Sequence, residues 1–120
     1  MLKHIRLELA RTPEFPQGDP RHGYEFTAPL DAMGRIDLAE FRKQREKCTV
    51  LNFVPGKDDE HGHLVHTRGG RWAFHYDLDS EPADDEPGYR FDQHTFRVGE
   101  YVSITEHDGE TRPFRVVSVK

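Results

Sequence analysis

The stretch "HLVHTRGGRWAFHYD" holds four side chains of types that can bind a metal ion, His63, His66, His75 and Asp77, of which His66, His75 and Asp77 form the candidate set. Imidazole and carboxylate are donors that zinc accepts, and two histidines with one carboxylate also suit iron with open positions. The spacing works only if the stretch is a hairpin. A two-residue turn at Gly69-Gly70 pairs Arg68 with Arg71, Thr67 with Trp72 and Val65 with Phe74. His63, Val65, Thr67, Trp72, Phe74 and Tyr76 then share the core face. Leu64, His66, Ala73, His75 and Asp77 share the other, with His66 diagonal to His75 at about 7 Å between Cα atoms. Arg68 and Arg71 fall on that second face and discourage a cation. No compact ligand motif such as His-Glu-x-x-His is present. The expectation is a structural hairpin without a cofactor, and the alternative is zinc or iron at His66, His75 and Asp77. His61, His63 and His66 also form a His-x-His-x-x-His string, but strand alternation sends His63 and His66 to opposite faces.

After the hairpin comes "DLDSEPADDEPG", with six acids and no base. Calcium takes several oxygen ligands from a flexible loop, but Pro82 stands where an EF-hand needs glycine and Gly88 where it needs glutamate. The charge density and two prolines predict an exposed loop. Its acids Asp79, Glu81, Asp84, Asp85 and Glu86 would offer a docking surface to a basic partner. Arg42, Lys43, Arg45 and Lys47, preceded by Arg35, form a basic patch of the kind that meets phosphate or nucleic acid. Glu40 and Glu46 between them favour an ordinary solvated helix face. Cys48 follows that basic turn and is expected to be a buried structural thiol.

The elements that must carry these groups are mostly strands. "HIRLELA" and "YEFTAPL" alternate apolar and polar residues, while "RTPEFPQGDPRHG" between them is a loop rich in proline and glycine. One helix start is clear. Asp37 can cap, Glu40 completes a capping box, and Ile36 with Phe41 suits a hydrophobic staple, which predicts a helix from about Leu38 to Lys47. "CTVLNFV" is apolar on both faces and reads as a central strand. "YRF" reads as a short strand, and "EYVSITE" with "RPFRVVSV" as a second hairpin. A three-residue loop there puts Val102, Ile104, Phe114 and Val116 on one face. About eight strands and one short helix predict a mainly β chain, a single domain over residues 1–120, built as an antiparallel small barrel or a strongly curved sheet. Trp72, Phe74, Tyr76, Phe91, Tyr101 and Phe53 are candidates to fill its interior or to line an apolar pocket, and filling is favoured in so small a barrel.

A chain of 120 residues suits one domain with its own core. It is 34% hydrophobic and 32% charged, with 11% aromatic residues to bury. Seventeen basic against twenty-two acidic residues give a net charge of −5, which weighs against nucleic-acid binding. The single cysteine excludes an intrachain disulfide and suits a reducing compartment. "MLKHIRLELAR" has no continuous apolar run, so a signal peptide is not expected, and no stretch reaches membrane-spanning length. A soluble, cytoplasmic protein is the expectation.

The phrases "HGYEFTAPLD", "GGRWAFHYD" and "HTFRVGEYVSI" together resemble a group of small bacterial proteins of unknown function, which implies no activity. "FRVGEYVSITEHDGETRPFRVVSV" is similar to the last hairpin of many small barrels, which implies fold alone. With no activated nucleophile and no recognised metal spacing, the leading expectation is a noncatalytic binding or protein-interaction module, taking a small ligand or a protein partner. The alternatives are a small metal-dependent enzyme using His66, His75 and Asp77, and a nucleic-acid-associated barrel using the basic helix.

Overall fold

The computed structural model describes residues 2–67, 70–76, 90–91, 95–106 and 108–120. Eight strands run in sequence order: β1 (Leu2–Leu9), β2 (Asp19–Pro29), β3 (Thr49–Phe53), β4 (Glu60–His66), β5 (Trp72–Tyr76), β6 (Arg90–Phe91), β7 (Tyr101–Thr105) and β8 (Thr111–Val119). Each pairs antiparallel with the next, and β1 pairs with β8, so the sheet closes into a barrel. The wall is thin at β6, which registers two residues with β5 and one with β7.

Alternation drives the inside–outside choice on every long strand. Ile5 and Leu7 of β1, Tyr24 and Phe26 of β2, Val102 and Ile104 of β7, and Phe114 and Val116 of β8 are all buried. The rings meet across the interior. Tyr24 lies 5.2 Å from Phe74 and 5.1 Å from Phe114, and Phe26 lies 5.2 Å from Phe74 and 5.4 Å from Phe96. These tilted and edge-to-face contacts fill the centre as small barrels usually do. Two of the expected interior aromatics are outside. Phe53 lies under the Arg6 guanidinium at 4.5 Å, and Tyr101 is 61% exposed.

Two hairpins test the sequence-derived registers. The second closes as expected: Glu106 donates to Glu110, Val102 faces Phe114, and Val102, Ile104, Phe114 and Val116 are buried together. The first is shifted by one residue. Thr67 closes against Arg71, so the loop holds three residues rather than two, and Gly70 takes the positive φ of 79° that its third position needs. The shift exchanges the faces of β4 while keeping those of β5. Leu64 is buried opposite Phe74, His66 lies opposite Trp72, and His63 is exposed opposite His75. Burying Leu64 in place of His63 is the physical reason for that choice.

Gly62 packs tightly against the β5 main chain. A Cβ there would stand 2.1 Å from the His75 carbonyl oxygen and 2.7 Å from the Tyr76 Cα, both main-chain atoms that cannot swing away. Gly62→Ala is expected to cost about 1–3 kcal/mol as overpacking. Urea denaturation measures it, and an unchanged midpoint would show that the two strands separate freely.

The connection from β2 to β3 carries α1 (Leu38–Lys43), followed by a single 3-10 turn over Arg45–Lys47. Asp37 caps α1, its carboxylate accepting from the Glu40 amide at 3.2 Å. The reciprocal half of the expected capping box is absent, because the Asp37 amide donates to Pro29 instead. The helix also ends sooner than Lys47, at a Gln44 whose φ of −130° leaves helical geometry. It still buries Phe41 edge-on against Trp72 at 5.0 Å, closing that end of the barrel. Cys48 is fully buried just beyond it. Burial, then the charge of Glu46, pushes its thiol up to about 11 from 9.0. Alkylation of the native protein should therefore run at least roughly a hundredfold slower than in urea. Equal rates would place the thiol at the surface.

Candidate functional site

The other barrel end carries the β1–β2, β3–β4 and β7–β8 connections, and it is polar. Four inward columns of side chains are apolar in the middle and end there in a group able to hydrogen-bond. Phe26 and Tyr24 lead to His22 on β2, Val50 to Asn52 on β3, Val102 and Ile104 to Glu106 after β7, and Val116 and Phe114 to Arg112 on β8. With Lys57, Glu60 and Asp108 these line an open cavity of about 450 Å³.

Glu106 is the hub. It is 6% exposed, yet both its oxygens are used. Oε1 accepts from Arg112 Nη1 at 2.8 Å, and Oε2 accepts from the Tyr24 hydroxyl and from His22 Nε2 at 3.2 Å. Burial alone would raise its carboxyl. Hydrogen bonds from His22 and Tyr24, the charge of His22 and the Arg112 hydrogen bond outweigh that and hold it below the ordinary glutamate value. An ionised Glu106 only accepts, so it fixes the proton of His22 on Nε2. Arg112 also grips Asp108, with Nη2 at 2.9 Å from Oδ2. That contact, ahead of the Glu110 amide, keeps Asp108 below its usual range.

Asn52 differs from these saturated groups. It is 4% exposed, and its Nδ2 donates to the Gly23 carbonyl at 2.9 Å. Its Oδ1 accepts from no described residue, although the side chain forms part of the cavity wall. Gly23 allows the arrangement, because a Cβ there would stand 2.0 Å from the Leu7 carbonyl oxygen. At the rim, Lys57 and Glu60 have no ion pair among the described residues.

The groups singled out from sequence lie elsewhere. His66 and His75 do not meet. They occupy opposite faces of the β4–β5 ribbon, and the His66 ring sits 4.6 Å from Trp72. The expected diagonal pairing rested on the two-residue turn and is corrected with it. Asp77 and the acidic residues Asp79, Glu81, Asp84, Asp85 and Glu86 lie outside the described residues, as does Arg68. Among the described residues, no three histidine, cysteine or acidic side chains converge as a metal-binding group. The basic residues Arg42, Lys43, Arg45 and Lys47 are exposed at the helix end of the barrel. Lys43 meets Glu40 at 3.5 Å, and Arg45 lies 5.9 Å over Phe41, so part of the patch is spent on the helix itself.

Sequence reasoning missed the mouth, although a signal for it was present. Extending each period-2 pattern by one pleat past its last apolar residue arrives at His22, Glu106 and Arg112. That these three converge is a consequence of barrel closure, which no single strand reveals.

Fold and site together define a small closed antiparallel barrel, capped by a helix at one end and carrying a polar, buried-charge mouth at the other. No family model, no curated protein and no solved structure matches this chain. No helix among the described residues is long and apolar enough to cross a membrane.

Proposed function

We propose that this protein is a noncatalytic binding module whose mouth takes a small polar ligand bearing an N–H or O–H donor. The observation that carries this is the Asn52 amide oxygen, held on the cavity wall by a side chain that is itself almost wholly buried and left without a protein acceptor bond. Asn52 lines the open cavity, where a ligand N–H or O–H can take the place of solvent as the donor to that oxygen. The Glu106 cluster supports the reading as a rigid frame, because its carboxylate is saturated by three donors and spans β2, β8 and the β7–β8 turn. Lys57 and Glu60 at the rim add one charge of each sign for orienting a ligand. The single cysteine suits action in a reducing compartment.

One geometric fact favours a second reading. A carboxylate that fixes the proton of an imidazole on Nε2 leaves Nδ1 as an acceptor, the arrangement of a general base. No serine, threonine or cysteine is among the described residues that line the mouth, so binding is the stronger conclusion.

The test is an amide chemical-shift survey of the full chain against small amides, polyols, amino acids and nucleosides. Perturbations centred on His22, Asn52, Lys57 and Glu106, weakened by Lys57→Ala, are expected for at least one class. Perturbations clustered away from the mouth, or none for any class, would overturn the proposal.

A further inference from the structure

The one-residue shift of the first hairpin creates a different histidine group from the one the sequence suggests. His63 and His75 are direct cross-strand partners. His61 lies two residues before His63 on the same strand and therefore on the same face. We propose that this outer face of β4 and β5 binds a divalent transition-metal ion, copper(II) in preference to nickel or zinc, through His63 and His75 with His61 as the third imidazole. The proposal is independent of the mouth and involves another face of the barrel.

Directly opposed residues in a sheet have Cβ atoms about 4.5–5.5 Å apart, a span from which two imidazoles can reach one ion at about 2.0–2.1 Å per bond. His61 stands about 7 Å along the strand. His61 and His63 are exposed and His75 half-buried, so an ion can approach all three from solvent. As they stand, no three donors converge among the described residues. The cross-strand pair is therefore the core of the proposed site, and His61 completes it when an ion binds. That donor set decides the metal. Structural zinc wants four ligands, whereas copper(II) accepts two or three nitrogens with water and leads the divalent affinity series.

His61 and His63 border a depression of about 400 Å³ that also includes His4 and Glu25, and no lysine or arginine among the described residues lines it. On the β5 side the nearest basic position is Arg90, registered with Ala73 and so diagonal to His75 at about 7 Å between Cα atoms, which tempers the affinity without blocking the approach from the His61 side. Arg71 lies four residues from His75, about 13 Å away and beyond the screening length at physiological salt.

Untagged full-length protein titrated with copper(II) in a weakly competing buffer gives the test, followed by calorimetry and by electron paramagnetic resonance for nitrogen coupling. One equivalent with nitrogen ligands is expected. His63→Ala and His75→Ala should each weaken binding tenfold or more, and His61→Ala by less. His66→Ala, on the opposite face, and His4→Ala should leave affinity unchanged, with circular dichroism verifying the fold of each variant. Absence of stoichiometric binding would overturn the proposal. So would binding that survives in the His63→Ala/His75→Ala double variant, or a loss in His66→Ala equal to that in His63→Ala.

Discussion

Glu106→Ala should lower the stability of this barrel by about 3 kcal/mol, a drop in Tm of roughly 12 °C for a chain of this size. The carboxylate is 6% exposed and serves Arg112, Tyr24 and His22 at once. Removing it leaves a buried hydroxyl and a largely buried imidazole without their acceptor, each costing about 1–3 kcal/mol. Arg112 softens the loss, because it is 28% exposed and keeps Asp108. The figure therefore sits at the low end of the range for breaking a buried pair. Tyr24→Phe, which removes one donor and leaves the carboxylate held by two, should cost only about 1 kcal/mol.

The same cluster predicts a pH dependence. The folded-state carboxyl of Glu106 is held below its unfolded value of 4.5. Its contribution is then fully present above about pH 4.5 and is lost as pH falls through the lower folded value. Urea unfolding of wild type and Glu106→Gln between pH 6 and pH 3 isolates it, since the other acids contribute equally to both. The stability difference should shrink on acidification. A difference that stays constant across that window would mean that the folded and unfolded carboxyls titrate alike, and a difference that grows on acidification would mean that the fold favours the neutral acid.

Trp72→Ala should be at least as damaging, at about 3–5 kcal/mol, the usual range for truncating a buried large aromatic. Trp72 is 2% exposed, meets the tilted His66 ring at 4.6 Å and receives Phe41 edge-on at 5.0 Å. It is the joint between the barrel and α1, so the loss includes the seat of the helix as well as the cavity. It is also the only tryptophan, so wild-type emission should be blue-shifted and poorly quenched by iodide. The variant must be followed by circular dichroism. A loss under 1 kcal/mol would show that the helix end is loosely packed.

Much of the barrel was legible in the chain because a strand with one buried face writes that fact at every second residue. Tyr24, Phe26, Val102, Ile104, Phe114 and Val116 could be assigned inward from spacing alone, and they are buried. The helix start was legible for an equally local reason, since Asp37 needs only the amide of Glu40 three residues on. Its end was not, because nothing between Gln44 and Lys47 announces the change to a 3-10 turn.

The β4–β5 register shows where local information stops. Gly69-Gly70 permits a loop of two residues or three, and the two options put opposite faces of "HGHLVH" inward. Choosing between them requires knowing that Leu64 meets Phe74 and His66 meets Trp72 in a core contributed by other strands. That single choice decided that His63, and not His66, stands beside His75. The mouth lies further still from local reach. His22, Asn52, Glu106 and Arg112 are spread over ninety positions of sequence and meet only because β1 pairs with β8. Sequence periodicity by itself determined which side of most strands is apolar, since burial of a side chain depends on its own chemistry. The tertiary structure alone decided which polar ends converge, since that depends on register and closure, properties shared among all eight strands.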